Sequence, residues 1–254
     1  MKTICFFNQK GGVGKTTSVI NIGAALGQRK QKVLIVDMDP QGNSTSGLGI
    51  LKEELEASIY DVFIGNKTVE EIIHHTGEEN VDLIPANSDL AGIEVELANT
   101  DNKEILLREN LNDLNQYDYI LIDCPPSLGI LSINGLSASD SVIIPLQCEY
   151  YALEGMSQLM DTIQLIRHSV HPNLEIEGIL LTMYDRRNNL CRDVEYEVKK
   201  YFEDKVMIPP IPRNIRLAEA PSFGRSVLQH DRFSKGARAY KRIAKAIIQN
   251  TKDS

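Results

Sequence analysis

The chain has 254 residues, of which 42% are hydrophobic and 24% charged, and its formal net charge is −8. This is ordinary globular composition, which excludes disorder, collagen and a coiled-coil rod. No apolar run approaches the ~20 residues that a membrane-spanning helix needs, and the N-terminus lacks the features of a signal peptide. The four scattered cysteines form no C-x-x-C pair, so we expect reduced thiols and a cytoplasmic location.

Charge is distributed unevenly along the chain. Residues 1–185 contain 11 Lys and Arg against 27 Asp and Glu, whereas residues 186–254 contain 16 against 8. A basic segment in an acidic protein either binds an anionic partner such as nucleic acid or forms solvated helix surface. Charge alone leaves both interpretations open.

Short apolar runs alternate with helical patterns. The runs are rich in Ile, Val and Leu, as is typical of strands buried on both faces, and they lie at residues 3–7, 33–36, 81–84, 119–122, 142–145 and 176–181. The helical patterns lie at residues 16–29, 103–114, 153–166 and 237–248. This alternation predicts an α/β fold with a doubly wound, mostly parallel sheet and helices on both faces. We expect a single domain over residues 1–254.

A glycine-rich loop follows the first predicted strand and opens the first predicted helix. Its sequence, Gln-Lys-Gly-Gly-Val-Gly-Lys-Thr-Thr, covers residues 9–17. Glycines let the backbone aim its N–H groups at one point, and the helix N-terminus adds a positive field, so the loop predicts a phosphate site of the P-loop NTPase type. Lys15 would reach the β- and γ-phosphates, the Thr16 hydroxyl would bind Mg²⁺, and Thr17 would reach the α-phosphate. The backbone around the phosphates would be that of Gly11, Gly12, Val13 and Gly14.

The start of this loop departs from the standard P-loop pattern. Gln9 stands where G-x-x-x-x-G-K-[ST] has glycine, and a second lysine, Lys10, follows it. Lys10 could neutralise charge on a nucleotide of its own or of a neighbouring subunit, or it could be a solvated lysine.

Carboxylates follow two of the predicted strands. Asp37 and Asp39 come after the run at 33–36, and Asp123 comes after the run at 119–122. Ligands bind at the carboxyl ends of strands in open α/β sheets, and an aspartate in this position holds the Mg²⁺ shell of P-loop ATPases. We predict that Asp37 and Asp123 act on Mg²⁺ through water and that Asp39 acts on the attacking water, although any one of them alone could be a helix cap or turn residue.

These motifs resemble those of the ParA/MinD ATPases, the deviant Walker A family. Residues 10–17 are similar to the family's Walker A motif, residues 36–43 to its second motif and residues 121–127 to its Walker B motif. Residues 211–222 resemble a segment typical of the chromosomal ParA branch, also called Soj. The resemblance covers nearly the whole chain and implies the same doubly wound fold.

The resemblance implies an ATP- and Mg²⁺-dependent ATP hydrolase that acts in chromosome or plasmid partitioning. Lys10 would contact the nucleotide of the partner subunit in an ATP sandwich homodimer, so it joins Lys15 and Asp39 as a catalytic residue. A ParB-like centromere-binding protein would stimulate hydrolysis. The segment against the adenine would be Pro212, Arg213 and Asn214.

The basic C-terminal part then has an expected function, because ParA dimers of this branch bind double-stranded DNA without sequence preference. Such binding is mainly phosphate neutralisation, and a dimer doubles the contacts of one subunit. Each basic residue could equally be a solvated or ion-paired charge. The candidates are Arg192, Lys199, Lys200, Arg213, Arg216, Arg225, Lys235 and Arg238, with Arg216, Lys199 and Lys200 preferred. We expect a cytoplasmic, nucleoid-associated protein.

The main alternative is a MinD-like membrane-associated ATPase that regulates cell division. It requires an amphipathic helix past the last core helix, and we expect residues 249–254 to be too short and too polar for that role, so no membrane partner is expected. A cluster-carrying protein similar to nitrogenase reductase would need paired cysteines that Cys124 and Cys148 do not match. A nucleotide-binding module without turnover is disfavoured by the presence of Lys10 and Asp39.

Overall fold

The computed structural model describes residues 1–149 and 152–253. Its strands are β1 (Lys2–Phe6), β2 (Val33–Asp37), β3 (His74–His75), β4 (Val81–Ile84), β5 (Tyr119–Asp123), β6 (Ser141–Gln147) and β7 (Glu175–Thr182). Its α-helices are α1 (Lys15–Gly27), α2 (Asn43–Gly47), α3 (Ile59–Phe63), α4 (Ile93–Glu96), α5 (Leu106–Leu111), α6 (Ile130–Ser137), α7 (Ala152–Ser169), α8 (Asn189–Phe202), α9 (Ile215–Glu219), α10 (Val227–His230) and α11 (Lys235–Asp253). Short 3-10 turns lie at Lys52–Glu54, Glu70–Ile72, Ser88–Gly92, Lys103–Ile105, Glu203–Lys205 and Ala220–Phe223.

The strands form one sheet in the order β3-β4-β2-β5-β1-β6-β7. Its neighbouring strands run parallel except for the short edge strand β3, which is antiparallel to β4. The chain passes from β1 to one side of the sheet and later returns to the other side, so β1 lies at a topological switch point, where open α/β sheets bind their ligands. The loop after β1 is therefore in the position that the sequence predicts for a binding site.

Helices cover both faces of the sheet. On one face, Val19 of α1 and Tyr240 of α11 are fully buried in a common core. On the other face, Leu136, Ile163 and Val194 bring α6, α7 and α8 into a second core. The predicted doubly wound, mostly parallel α/β fold is thus confirmed. None of the helices in the described ranges has the combination of length and apolar character that crossing a bilayer requires.

The continuous helix predicted over residues 103–114 is wrong. A 3-10 turn at Lys103–Ile105 is followed by the short helix α5. The side chain of Asn134 accepts a hydrogen bond from the Leu107 N–H at 3.0 Å and donates one to the Lys103 carbonyl at 2.7 Å. These are the two backbone groups that a continuous helix would pair with each other, so Asn134 replaces that helical hydrogen bond.

The strand predicted at residues 81–84 matches β4 at both ends, the other five differ by one or two residues at one or both ends, and β1 ends at Phe6 rather than residue 7. The sequence pattern missed the two-residue strand β3, the longer helices α6 and α8, and the short helices α2, α3, α4, α9 and α10. α6 is buried over most of its length, so it lacks the alternation of apolar and polar faces that indicates a helix.

Candidate functional site

The loop between β1 and α1 turns at two glycines in the left-handed region. Gly12 has φ 74° and Gly14 has φ 90°, conformations that other residues adopt only at a cost. Thr182, at the end of β7, holds the loop from the side, because its hydroxyl donates to the Val13 carbonyl at 2.7 Å. Gly14 precedes α1 and provides no side-chain cap, which leaves the first-turn N–H groups of α1 open to an anion.

Lys15 opens α1 and is buried. Its Nζ donates to the backbone carbonyls of Asn8 at 2.9 Å and Lys10 at 3.1 Å. Burial lowers the pKa of Lys15, and the nearby carboxylate of Asp123 opposes this. Phosphate oxygens bind an ammonium group more strongly than neutral carbonyls do, so this lysine is suited to an anionic ligand.

Asp37 and Asp123 lie side by side at the ends of β2 and β5, where they are register partners and fully buried. The N–H and the hydroxyl of Thr45 each donate to Oδ2 of Asp37 at 2.8 Å. The Ser44 hydroxyl donates to Oδ2 of Asp123 at 2.7 Å. Oδ1 of Asp123 is buried without a hydrogen-bond partner. The two aspartates that the sequence predicts for Mg²⁺ are therefore brought together.

The electrostatics of this pair favour a cation. Burial, together with the charge of Asp123, raises the pKa of Asp37 to about 8. Burial also raises the pKa of Asp123 to about 6, although the hydrogen bond from Ser44 and the nearby hydroxyl of Thr16 act in the opposite direction. Carboxylate and hydroxyl oxygens are the donors that Mg²⁺ prefers, and a divalent ion would favour the charged forms. The residues present thus fit Mg²⁺; Thr16 stays its predicted direct ligand, and Asp37 and Asp123 stay predicted to act on it through water.

Asp39 lies two residues past β2 and is partly exposed. Its N–H donates to Oδ1 of Asp37 at 3.2 Å, and its own Oδ1 accepts from the Gln41 N–H at 3.0 Å. The structure therefore brings Asp39 to the same edge of the sheet as the buried pair. Its action on the attacking water stays a prediction.

Lys10, at the start of the loop, is exposed. Its Nζ forms an ion pair with Glu149, which follows β6, and its N–H donates to Oδ1 of Asn8 at 3.0 Å. Glu149 is not predictable from the sequence pattern, because nothing local connects a residue after β6 with the loop after β1.

The segment predicted to lie against the adenine runs beside the loop that follows β7. The Arg213 N–H donates to the Tyr184 carbonyl at 3.2 Å, and Pro212 forms a parallel bridge with Tyr184. The side chain of Asn214 caps α9 by accepting a hydrogen bond from the Arg216 N–H at 2.9 Å. The adenine contacts of these residues stay predictions.

A cleft of about 1090 Å³ lies between the loop after β7, residues 209–213 and the first half of α11. We call it the basic cleft, because seven cationic side chains line it beside one carboxylate, that of Asp185. Three of the cations belong to the predicted DNA-binding set and four do not. The seven are Arg186, Arg187, Arg213, Lys235, Arg238, Lys241 and Arg242.

Of the four cations that were not predicted, Arg242 had a signal in its helical spacing. Residues 235, 238 and 242 repeat at intervals of three and four on α11, which places them on one face of the helix. The pair at 186–187 directly follows Asp185, just past β7, and no helical spacing points to it.

The other predicted DNA-binding residues lie outside the basic cleft and have partners of their own. Lys199 forms an ion pair with Glu195 at 2.6 Å, and Lys200 forms one with Glu197 at 3.7 Å. Arg216 pairs with Glu219 at 2.8 Å and with Asp231 at 3.6 Å. The Arg225 guanidinium lies 5.8 Å from the centre of the Phe223 ring, and the Arg192 side chain donates a hydrogen bond to Asn189. The structure does not bring them together with the cations of the basic cleft. Their contacts with DNA stay predictions.

Comparison with known proteins supplies relatives over nearly the whole chain. A family model described as an AAA domain matches residues 1–176. The chain is 54% identical over 250 residues to the sporulation initiation inhibitor protein Soj of Bacillus subtilis, covering 98% of this chain and 99% of that protein. It is 49% identical over 249 residues to the chromosome partitioning protein ParA of Myxococcus xanthus, covering 98% of this chain and 88% of that protein.

Among solved structures, one similar chain is described as cobyrinic acid a,c-diamide synthase from Mycobacterium smegmatis with bound ADP and magnesium. It is 40% identical, has a TM-score of 0.88, and the match covers 99% of this chain and 95% of that one.

Proposed function

The chain belongs to the ParA and Soj family of chromosome-partitioning ATPases, and from this premise we propose how its site drives partitioning. It is an ATP-hydrolysing enzyme that uses ATP and Mg²⁺. We propose that two copies enclose the nucleotides, that the resulting dimer binds double-stranded DNA without sequence preference, and that a ParB-like partner triggers hydrolysis and release. Such a dimer would lie on the nucleoid, in the cytoplasm.

The observation that carries this proposal is the basic cleft. Seven cations beside one carboxylate, in a chain of net charge −8, concentrate positive potential at one edge of the protein and attract a polyanion. Pro212 and Arg213 line the same cleft, so nucleotide and DNA would act on neighbouring residues. One subunit offers few phosphate contacts and a dimer offers twice as many, so dimerisation would control DNA affinity.

The nucleotide would be held by the phosphate loop. The N–H groups of residues 11–17 and the Lys15 ammonium are suited to the phosphates, and Thr16, Asp37 and Asp123 to Mg²⁺. Bound Mg·ATP supplies the phosphoanhydride bond that hydrolysis breaks. Asp39 would orient a water molecule, and Lys10 would reach the nucleotide of the second subunit. Support comes from the buried aspartate pair and the unpartnered Oδ1 of Asp123.

DNA binding across a salt series, measured with Mg·ATP, with Mg·ADP and without nucleotide, tests the proposal. We expect tight binding only with Mg·ATP, and an affinity that falls linearly with salt on a double logarithmic plot. Lys15→Ala removes the ammonium from the phosphate loop and should abolish the effect of ATP. Equal DNA affinity in all three nucleotide conditions would contradict the proposal. Adding a ParB-like protein should raise the rate of ATP turnover.

A further inference from the structure

The first half of the phosphate loop contacts β6, α7 and the connection between them. The Asn8 side-chain N–H donates to the Pro145 carbonyl of β6 at 2.8 Å. The Gln9 side-chain N–H donates to the Thr162 hydroxyl of α7 at 3.1 Å. The next residue, Lys10, is held by Glu149, between β6 and α7. Three consecutive loop residues are thus fixed by one neighbouring segment, and the last of these contacts is the ionic one.

Glu149 is well placed to hold Lys10. Its N–H donates to the Gln147 carbonyl at 2.9 Å, and its own carbonyl accepts from the Ala152 N–H at 3.0 Å, at the start of α7. Both sides of its backbone are therefore anchored. The side chains of the ion pair are 51% exposed for Lys10 and 43% exposed for Glu149.

An ion pair this exposed is weak. Solvent-exposed pairs contribute about 0–1 kcal/mol, because water and salt screen them. A polyphosphate offers several charged oxygens to the same ammonium and competes successfully with one carboxylate. The Lys10–Glu149 pair therefore favours this position of the lysine in an isolated subunit only weakly, and a polyphosphate can replace the carboxylate.

We propose that Glu149 is a positioning residue that keeps Lys10 on its own subunit until the nucleotide of a second copy replaces the carboxylate. This inference rests on the proposed function, in which Lys10 reaches the nucleotide of the partner. Breaking the pair opposes dimerisation, and a dimer breaks it twice. Glu149 thereby raises the protein concentration at which Mg·ATP produces a dimer.

Glu149→Gln tests this inference, because it removes the charge and keeps the size of the side chain. The full chain is studied by sedimentation with Mg²⁺ and the non-hydrolysable analogue AMPPNP. We expect the dimer dissociation constant to fall roughly three- to tenfold relative to the wild type, since two ion pairs no longer need to break. The matched control is Glu197→Gln, which removes another exposed carboxylate paired with a lysine, Lys200, and should change nothing.

The same substitution made in the Lys10→Ala variant distinguishes a positioning role of Glu149 from a merely structural one. In Lys10→Ala, the change Glu149→Gln should have no effect on the dissociation constant, because the group it releases is gone. In the wild-type background, the effect should also shrink as salt rises from about 50 to about 300 mM.

Three results would overturn the inference. One is a Glu149→Gln dimer that is no tighter than the wild type, and another is an equal shift in the Lys10→Ala background. In both cases the proposed function survives as long as the wild type dimerises. A wild type that stays monomeric with AMPPNP overturns the proposed function and this inference together.

Discussion

The carboxyl group of Asp123 is costly to bury, and one of its oxygens has no hydrogen-bond partner. It is fully buried next to Asp37, one of its oxygens accepts from Ser44, and the other has no partner. A buried carboxylate with an unsatisfied oxygen destabilises the folded chain unless a cation or a proton compensates it. If Mg²⁺ acts at this site as predicted, the nucleotide-free protein lacks stability that the bound cation would restore.

The first prediction concerns Asp123→Asn in the metal- and nucleotide-free protein. The pKa of Asp123 is raised to about 6 in the folded state, so the folded chain holds the proton more tightly than the unfolded chain does. The stability that this proton provides is present at acid pH and is lost as pH rises through about 6. At pH ~8 we therefore expect Asp123→Asn to raise the free energy of unfolding by about 1–3 kcal/mol.

Urea unfolding with a chelator at pH ~5 and ~8 measures this effect, and the gain should be smaller at the lower pH. Asp113→Asn is the matched control, because Asp113 is an exposed acid and its replacement should change the stability at neither pH. A variant no more stable than the wild type at the higher pH would contradict the interpretation of Asp123 as an electrostatic burden.

The second prediction concerns Asp39→Ala. If Asp39 orients or deprotonates the attacking water, its loss should slow ATP turnover by roughly 10²-fold or more. ATP binding should persist, because the groups assigned to the phosphates and Mg²⁺ are unchanged, so the variant should stay on DNA as a dimer. Turnover assays and DNA retention after removal of free ATP measure the two effects. Normal turnover would remove Asp39 from the mechanism.

The elements that the sequence predicted are those determined by local pattern. The phosphate loop and α1 depend on glycines and helical spacing within residues 9–29, and the structure confirms them as a loop and a helix. Residues 103–114 were mispredicted because Asn134, distant in sequence, takes over a backbone hydrogen bond. The partners of the site residues were missed for the same reason, because Thr182 and Glu149 meet the loop only after the sheet has formed.

The third prediction concerns the end of α1. A Cβ on Gly27, the last residue of α1, would lie 2.0 Å from the backbone carbonyl oxygen of Glu79 and 3.0 Å from a methyl carbon of Val81. Because a backbone atom cannot move aside as a side chain can, Gly27→Ala must shift α1 against β4. We expect it to lower the free energy of unfolding by about 1–3 kcal/mol.

Gly155→Ala is the control, measured by the same urea unfolding. Gly155 lies inside α7, and among the residues that the structure describes a Cβ there would meet no atom within 4 Å apart from its chain neighbours and the backbone of its own helix. Alanine should stabilise this helix by about 0.5–1 kcal/mol. If both substitutions stabilised the protein, close packing of α1 on β4 would not be the reason for the glycine at 27.

The charge asymmetry of the chain becomes a spatial feature only when the fold is complete. Segments distant in sequence, including the loop after β7 and the face of α11, come together in the basic cleft. Two ion pairs outside the basic cleft could be predicted from helical spacing in the sequence. Glu195 and Lys199 are four residues apart on α8, and Arg216 and Glu219 are three residues apart on α9. Helical spacing therefore identifies Lys199 and Arg216 as cations paired within one helix, whereas Arg187 of the basic cleft pairs with Asp185 outside any helix.

The fourth prediction applies this distinction to DNA binding. Arg238 is exposed on α11 and lines the basic cleft, so a dimer would place two copies of it against DNA. We expect Arg238→Ala to reduce the magnitude of the salt dependence, the slope of log affinity against log salt, by about 2. Dimerisation with Mg²⁺ and AMPPNP should be unchanged, because Arg238 lies outside the phosphate loop.

Lys67→Ala is the control for this experiment. It also removes one exposed cation, but Lys67 pairs with Glu71 and lies after α3, in the acidic part of the chain. Its loss should leave the salt dependence as it is, so a decrease in both variants would indicate an effect of net charge alone. If Arg238→Ala dimerises normally and its slope of log affinity against log salt is unchanged, the assignment of DNA contacts to the basic cleft is contradicted. The ion-paired residues of α8 and α9 would then be the favoured DNA contacts.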